Sequence, residues 1–471
     1  MMTARGSILP GANETIVAQA TVGARSALAV IRMSGPDSHR IGAALLSPWR
    51  TTPRVSYLST LRDPTSGREI DRGIVTVYSE PFSYTGEDMI ELSLHGGEVG
   101  PALAINALLA SGARAALPGE LTRRALLNGK MDLLQAEAVG DLIDARSRAM
   151  HDVALGQLAG HLSARLTALR EQIVGIEALL AYDVDFPEED DGPIDRSRIQ
   201  RAAQVVLATI DALLTTSATG ELIRGGAAVV IAGAPNAGKS SLFNALAGTR
   251  RAIVTDIPGT TRDALEAMID IGQWPIRLVD TAGLRASDDM VERLGIEVAE
   301  EHVAKAVLVL VCGENVESLS MAIESVRRLT GAPLIAVGTK SDAGEISAAA
   351  VTALLSLHGA TTGLRYVSVS ARTGEGLASL TKNVVEILQR DRTALSSENP
   401  IITRERHRAA LASARAEIAE FLQLWERTSG LPATVAAVHL HSARGYLEEL
   451  VGVLDVEDVL DRVFSSFCVG K

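Results

Sequence analysis

Apolar positions change their period three times along the chain, and each change marks a new architecture. From Thr15 to about His95, short continuous or alternating apolar runs at 16–18, 27–31, 55–61, 74–78 and 89–94 predict strands. Asp63-Pro-Thr-Ser-Gly67 predicts a turn among them. Helical spacing follows at 101–110, and Pro118-Gly-Glu-Leu-Thr-Arg-Arg-Ala-Leu-Leu127 predicts a helix that begins at its proline. From Lys130 to Tyr182 the period is helical with few breakers, and after an acidic, proline-bearing connector at 183–193 another helix spans 196–215. Between about Gly220 and Arg390, apolar runs at 227–232, 276–279, 307–311, 334–337 and 366–369 alternate with helical patterns. That rhythm predicts a mainly parallel sheet covered on both faces. Beyond Asn399-Pro400 the pattern is helical again, at 404–425, 435–453 and 456–467. The expected fold is a multidomain α/β protein. An α+β domain takes 1–128, an all-α domain lies in two pieces at 129–219 and 392–471, and a doubly wound α/β domain at 220–391 interrupts it.

The chemistry is concentrated where the run at 227–232 meets Gly233-Ala-Pro-Asn-Ala-Gly-Lys-Ser240. Strand, GxxxxGKS, then helix is the context of a phosphate-binding loop. Backbone N–H groups from Asn236, Ala237 and Gly238 through Ser240 and Ser241 are placed to surround the phosphates of a nucleoside triphosphate, at the positive end of the helix. Lys239 reaches the terminal phosphates, and Ser240 offers its hydroxyl to Mg²⁺.

Thr260-Thr261, Asp280-Thr281-Ala282-Gly283, Thr339-Lys340-Ser341-Asp342 and Ser370-Ala371-Arg372 follow in the order of a guanine-nucleotide switch domain. Asp280 is expected to hold Mg²⁺ through water, and Gly283 to sense the terminal phosphate. Thr261 should coordinate Mg²⁺ only with the triphosphate bound, which makes 255–263 a switch. Asp342 is placed to accept from guanine N1 and N2, favouring GTP over ATP. Two positions depart from the usual pattern. Thr339 stands where the NKxD motif has asparagine, so the base pocket is expected to lack an amide. Leu284 occupies the place of the Ras-type glutamine and cannot orient water. Asn236, with the backbone of 255–260 folded over it, offers a ligand for a monovalent cation that would meet the transition-state charge instead.

Composition narrows the partners. A net charge of −12 argues against a broad basic surface for nucleic acid, so any RNA must be held by a local patch or a basic partner. Only Cys312 and Cys468 are present, which excludes a disulfide framework and suits a reducing cytosol. The first residues lack the apolar core of a signal peptide, and no apolar run approaches a membrane span. A cytoplasmic protein with no membrane partner is expected.

Several further stretches carry a resemblance. With Thr255-Asp256-Ile257-Pro258-Gly259-Thr260-Thr261-Arg-Asp263 and Asp280-Thr-Ala-Gly-Leu-Arg285 go Ser83-Tyr-Thr-Gly-Glu-Asp88, Glu91-Leu-Ser-Leu-His-Gly-Gly97, Pro118-Gly-Glu120, Leu127-Asn-Gly-Lys-Met-Asp-Leu133, Gln135-Ala-Glu-Ala138 and Phe467-Cys-Val-Gly-Lys471. Together they cover nearly the whole chain, which resembles the MnmE (TrmE) family of tRNA-modification GTPases. The resemblance implies an N-terminal folate-binding and dimerisation domain, a homodimer, and a flavin-dependent partner protein. The pair would install a carboxymethylaminomethyl or related group on C5 of the tRNA wobble uridine. It implies a tetrahydrofolate derivative (5-formyl or 5,10-methylene) contacted at Arg32, Glu91, Lys130 and Lys471, with Cys468 near the one-carbon unit. It places K⁺ at Asn236 and the backbone of Thr255, Ile257 and Thr260, and a water-orienting carboxylate at Glu292. The stretch Val22-Gly-Ala-Arg-Ser-Ala27 and the stretch Val435-Ala-Ala-Val-His-Leu-His441 depart from the family pattern.

Two other readings are open at this point. One is a ribosome-assembly switch of the Era or Der kind, although neither a KH-type GxxG loop nor a second phosphate loop is present. The other is a folate-dependent aminomethyl transferase with a regulatory GTPase.

Overall fold

The computed structural model describes residues 13–185, 196–249, 265–281, 298–358, 363–390, 400–427, 433–452, 463–464, 467 and 470. The chain divides into two compact units, Met1–Gly140 with Glu448–Lys471, and Asp141–Leu447.

The first unit is built on a seven-stranded sheet. Its strands are β1 (Ile16–Gln19), β2 (Leu28–Ser34), β3 (Leu46–Ser47), β4 (Ser56–Arg62), β5 (Glu69–Tyr78), β6 (Met89–His95) and β7 (Arg114–Ala115). They lie in the order β3-β4-β5-β6-β2-β1-β7, antiparallel except for β1 beside β7. Two helices, α1 (Ser38–Leu45) and α2 (Val99–Ala110), cover one face. Ile41, Leu45, Ala104 and Leu108 there pack against Ile31, Met33, Val75, Val77, Ile90 and Leu92. The other face keeps large apolar side chains in solvent, with Leu28, Leu58 and Ile74 respectively 56%, 61% and 43% exposed.

The helix expected to begin at Pro118 begins two residues later, as α3 (Glu120–Leu127). Gly119 takes a left-handed φ of +66°, which ends the preceding turn outside the helix. The Glu120 carboxylate then accepts the Leu117 N–H at 2.8 Å. Burial alone would raise the pKa of Glu120, but hydrogen bonds from Arg114, the Leu117 N–H and Arg124 outweigh it and hold the carboxyl below its ordinary range. Arg124, 2% exposed, donates to Glu120 and Glu87 at 3.0 Å each and to the Glu14 carbonyl at 2.9 Å. Glu87 also accepts from the buried Ser34 hydroxyl at 2.8 Å. These bonds tie the 83–88 loop to β2 and α3.

The long helical period from Lys130 is three helices rather than one: α4 (Leu133–Asp144), α5 (Arg148–Leu158) and α6 (His161–Asp185). Ser147 interrupts the first junction because its hydroxyl caps α5, accepting the Met150 N–H at 3.1 Å. Gly160, at φ +86°, interrupts the second.

In the second unit α7 (Arg196–Thr215) and α8 (Ser217–Gly225) lead into a six-stranded sheet. Its strands are β8 (Ala227–Gly233), β9 (Leu265–Ile271), β10 (Trp274–Asp280), β11 (Leu308–Gly313), β12 (Leu334–Thr339) and β13 (Arg365–Val369). The order β13-β12-β11-β8-β10-β9 is parallel except for the β9–β10 hairpin. The helices α9 (Lys239–Thr249), α10 (Val316–Leu329), α11 (Ala348–His358) and α12 (Leu377–Gln389) belong to the same body, followed by α13 (Glu405–Arg427) and α14 (Ala433–Val451). Separate apolar clusters on the two sheet faces show that both are covered. Strand β9 was not expected, although Ala267, Ile269 and Ile271 alternate inward as a half-buried strand requires.

The helix before this sheet packs on the helix after it. Arg196 stacks on Trp425 with 3.8 Å between guanidinium and ring, and Asp211 pairs with Arg415 at 2.5 Å, so α7 and α13 run antiparallel. A Cβ on Gly220 would meet the Ile402 carbonyl at 1.9 Å, so the chain leaves and returns at nearly one point. The sequence reading found no apolar run near a membrane span. Arg196–Gly225 nevertheless passes that test by length and composition. Its residues Ile199, Ala203, Val206, Ile210 and Leu213 are buried within the unit.

Replacing Arg124 with alanine takes away the buried counter-charge that Glu87 and Glu120 share, Glu120 keeping only Arg114, and stability should fall by about 3–5 kcal/mol in chemical denaturation. Glu120 has a depressed folded pKa, so its contribution is present above its ordinary 4.5 and is lost as the pH falls through the folded value.

Candidate functional site

The turn from β8 into α9 is shaped by two close approaches. Gly233, at φ +146°, lies where a Cβ would stand 2.4 Å from the Cys312 carbonyl oxygen. A Cβ on Gly238, at φ +78°, would press on the Thr339 side chain at 3.3 Å. Asn236 also sits in the left-handed region, at φ +62°. Left-handed residues of this kind are what phosphate-receiving turns are made of, and here the Ala237 N–H closes the turn on the Ala234 carbonyl at 3.3 Å. The Lys239 ammonium donates to the carbonyls of Gly233 and Ala234 at 3.0 and 2.8 Å, which holds it across the loop. Asp280 ends β10 fully buried beside β8, and Thr281 donates its hydroxyl to the Ile231 carbonyl at 2.9 Å. Cys312 lies beneath the loop, where burial pushes its thiol up to about 12 and keeps it protonated.

A cavity of about 240 Å³ opens beside the loop, lined by Gly238, Ser241, Thr339, Lys340, Asp342 and Ala371 among others. Asp342 accepts from the Ser370 hydroxyl at 2.7 Å and pairs with Arg372 at 2.5 Å. The Ser370 hydrogen bond first, and the Arg372 charge after it, hold its carboxyl below the usual aspartate range, so it is an anionic acceptor at neutral pH. The Lys340 ammonium is paired with Glu314. Thr339 does more than leave out an amide. Its buried hydroxyl lies 3.0 Å from the Ala237 carbonyl and 3.3 Å from that of Gly313, linking the phosphate loop to the end of β11. Sequence reasoning missed this because both acceptors are distant backbone atoms.

Thus Asn236, Ala237, Gly238, Lys239, Ser240, Ser241, Asp280 and Thr281 gather at one sheet edge, with Thr339, Lys340, Asp342, Ser370, Ala371 and Arg372 forming the neighbouring cavity. Thr255, Asp256, Ile257, Pro258, Gly259, Thr260, Thr261, Ala282, Gly283, Leu284 and Glu292 lie outside the described residues. The donor set fits a Mg²⁺-nucleotide: a hydroxyl at Ser240, a buried carboxylate at Asp280, and a lysine across the loop.

In the other unit, Arg32 and Glu91 face each other in register on β2 and β6 and pair at 2.8 Å. Tyr78 donates to the second Glu91 oxygen at 3.2 Å, and the Arg32 guanidinium lies 5.6 Å from the Tyr84 ring centre. Lys130 donates to the Pro81 carbonyl at 2.8 Å, and a Cβ on Gly86 would meet its stem. The 81–86 loop therefore joins all three. The chain end reaches the same sheet. Phe464 is buried and meets Phe467 in a tilted ring pair, 5.3 Å between centres, with both against Gly119. A Cβ on Gly470 would stand 2.2 Å from the Gln19 carbonyl, and the neighbouring Ala18 is the register partner of Arg32. Cys468 and Lys471 lie outside the described residues.

Residues 133–468 match the family described as MnmE helical domain, and residues 15–130 match GTP-binding protein TrmE N-terminus. The tRNA modification GTPase MnmE of Moorella thermoacetica is 41% identical over 471 residues, covering 98% of this chain and 100% of its own. The chain belongs to the MnmE family of tRNA modification GTPases. The MnmE of Aquifex aeolicus is 38% identical over 460 residues, with 97% and 100% covered, and that of Methylobacterium radiotolerans 41% over 466, with 97% and 99% covered. Among solved structures, the G domain of the T. maritima FeoB iron transporter aligns with 34% of this chain and 98% of its own at 28% identity, with a TM-score of 0.27. MnmE membership makes the chain a GTP-binding hydrolase whose work concerns tRNA.

Asp342→Asn should invert base preference, because its NH2 donates to the C2 carbonyl of xanthine, while a single amide oxygen cannot accept from guanine N1–H and N2–H together. Competition between xanthosine and guanosine diphosphates checks this. Because its pKa is depressed, protonation of Asp342 should weaken wild-type base selection only below the ordinary aspartate range, read as the ratio of guanosine to xanthosine diphosphate affinity against pH.

Proposed function

We propose that this GTPase drives addition of a carboxymethylaminomethyl or related group to C5 of the tRNA wobble uridine, using a tetrahydrofolate one-carbon unit and a flavin-dependent partner. The observation that carries the reading is the docking of the chain end. Gly470 closes on β1, the neighbour of the strand pair that holds Arg32 and Glu91, which supports a site shared by that pair and a segment remote in sequence. The Glu91 carboxylate suits the donor edge of a pterin, and Arg32, Lys130 and Lys471 suit a carboxylate tail. Cys468, two residues before Gly470 in sequence, is the residue we assign to the transferable group. The exposed Leu28, Leu58 and Ile74 on the same sheet face favour a homodimer formed through it.

The proposed boundaries are 1–128 for the folate and dimer domain, 129–219 with 392–471 for the helical domain, and 220–391 for the GTPase domain. The chain works in the cytoplasm. GTP is held on Mg²⁺ by Ser240 and Thr261, with Asp280 acting through water, while Lys239 meets the developing charge on the terminal phosphate. The 255–263 segment orders when that phosphate is present and is released on hydrolysis. Asn236 and the backbone of Thr255, Ile257 and Thr260 hold K⁺, which supplies positive charge where no arginine finger is assigned. Its side chain is solvent-facing on a left-handed residue, a posture that leaves the amide oxygen available to a cation. Glu292 orients the attacking water in place of Leu284.

Turnover in K⁺ should exceed turnover in Na⁺ at constant ionic strength, and Asn236→Ala should abolish the difference. Equal wild-type rates in both salts sink the cation site. Deleting residues 469–471 should weaken 5-formyltetrahydrofolate binding and leave GTP turnover largely intact. Unchanged folate affinity in the truncated chain removes the tail from that site.

A further inference from the structure

The β9–β10 hairpin makes one contact that nucleotide chemistry does not need. Asp270, near its turn, accepts the backbone N–H of Arg148 on Oδ2 at 3.2 Å, across 122 residues of sequence. Arg148 opens α5, whose first amides have no partners within the helix. Ser147 takes the Met150 N–H with its own hydroxyl. Asp270 takes the first amide from outside and brings negative charge to the positive end of the helix. The cap of α5 is therefore shared between the helix and the nucleotide-binding sheet.

The far end of α5 is held as well. Gln157, buried, donates Nε2 to the Ile401 carbonyl at 3.0 Å and to the Thr403 hydroxyl at 3.3 Å, on the segment that returns from the sheet. Between these two attachments lies a cavity of about 350 Å³, lined by Val153, Gly156, Leu162, Gly272, Pro400 and Ile401 among others. A close-packed joint resists sliding, whereas one bonded at its edges around a cavity lets the hairpin shift against the helix.

Strand β9 follows directly on the 255–263 segment, and its partner β10 ends at Asp280. The ladder fixes β9 to β10 in register, so displacement at the nucleotide end is carried along the hairpin to Asp270. We infer that Asp270 is a positioning residue for tRNA modification, passing the nucleotide state to the N-terminus of α5. The inference rests on the switch assigned above to 255–263. Asparagine at this place gives up the charge and keeps an acceptor oxygen for the Arg148 amide, so it separates the hydrogen bond from the charge.

Amide hydrogen exchange on the full chain tests this, comparing GDP with GDP–aluminium fluoride in the presence of Mg²⁺ and K⁺. In the wild type the amides of 148–151 should exchange at rates differing about three- to tenfold between the two states, the worth of one hydrogen bond. The difference should vanish in Asp270→Ala and persist in Asp270→Asn, whose amide oxygen accepts the same N–H. GTP turnover should be maintained in both variants, while tRNA modification in a deletion strain falls with Asp270→Ala and is rescued by Asp270→Asn. A wild-type response at 255–263 without one at 148–151 overturns the inference and leaves the switch standing. A flat response at both segments overturns the switch and the inference with it. An alanine variant that responds or modifies as well as the wild type also overturns it.

Discussion

The turn between β8 and α9 belongs to neither the sheet ladder nor the helix, and the chemistry of the second unit depends on how that turn is held. Sheet strands consume their amides in ladders and helices consume theirs within four residues, so a loop that offers several amides to one point must be held by something else. Here that support comes from beneath. The Cys312 carbonyl admits only a glycine at 233, and the Thr339 hydroxyl holds the Ala237 carbonyl from the neighbouring strand end. The parallel order β12-β11-β8-β10 brings these strand ends to one edge. The base cavity and the buried Asp280 follow from the same edge.

The first unit solves a different problem. A carboxylate that must remain charged within a folded domain needs counter-charges and donors in fixed places. Glu87 and Glu120 share Arg124, and the network fixes the loop that carries Tyr84 against β2. On the open sheet face, Arg32, Glu91 and Tyr78 form a second polar group beside apolar side chains left in solvent. One face of the sheet stabilises the domain, and the other presents these exposed apolar side chains beside its polar group.

The α+β, helical and α/β segments were legible in the sequence because each has its own apolar period, and period depends only on local geometry. The turn at 233–240 was legible because GxxxxGKS recurs at one spacing between a strand and a helix, and the structure places it between β8 and α9. Helix limits were less so. Ser147 and Gly160 divide what periodicity shows as one long helix, since caps occupy single residues that barely disturb an apolar stripe. The start of α3 moved because Gly119 and Glu120 answer to partners in the fold rather than to the proline before them.

The sequence by itself determined the fold class and the strand–turn–helix setting of the GxxxxGKS loop, because local spacing was enough to specify them. Tertiary structure decided what Thr339 bonds, that Gln157 grips the returning chain, that Asp270 caps a helix 122 residues away, and that Gly470 closes on β1. Each of these joins a side chain or glycine to a backbone atom far along the chain. A carbonyl or amide is the same chemical group at every residue, so no residue type signals such a partner, and only the packed fold brings the two together.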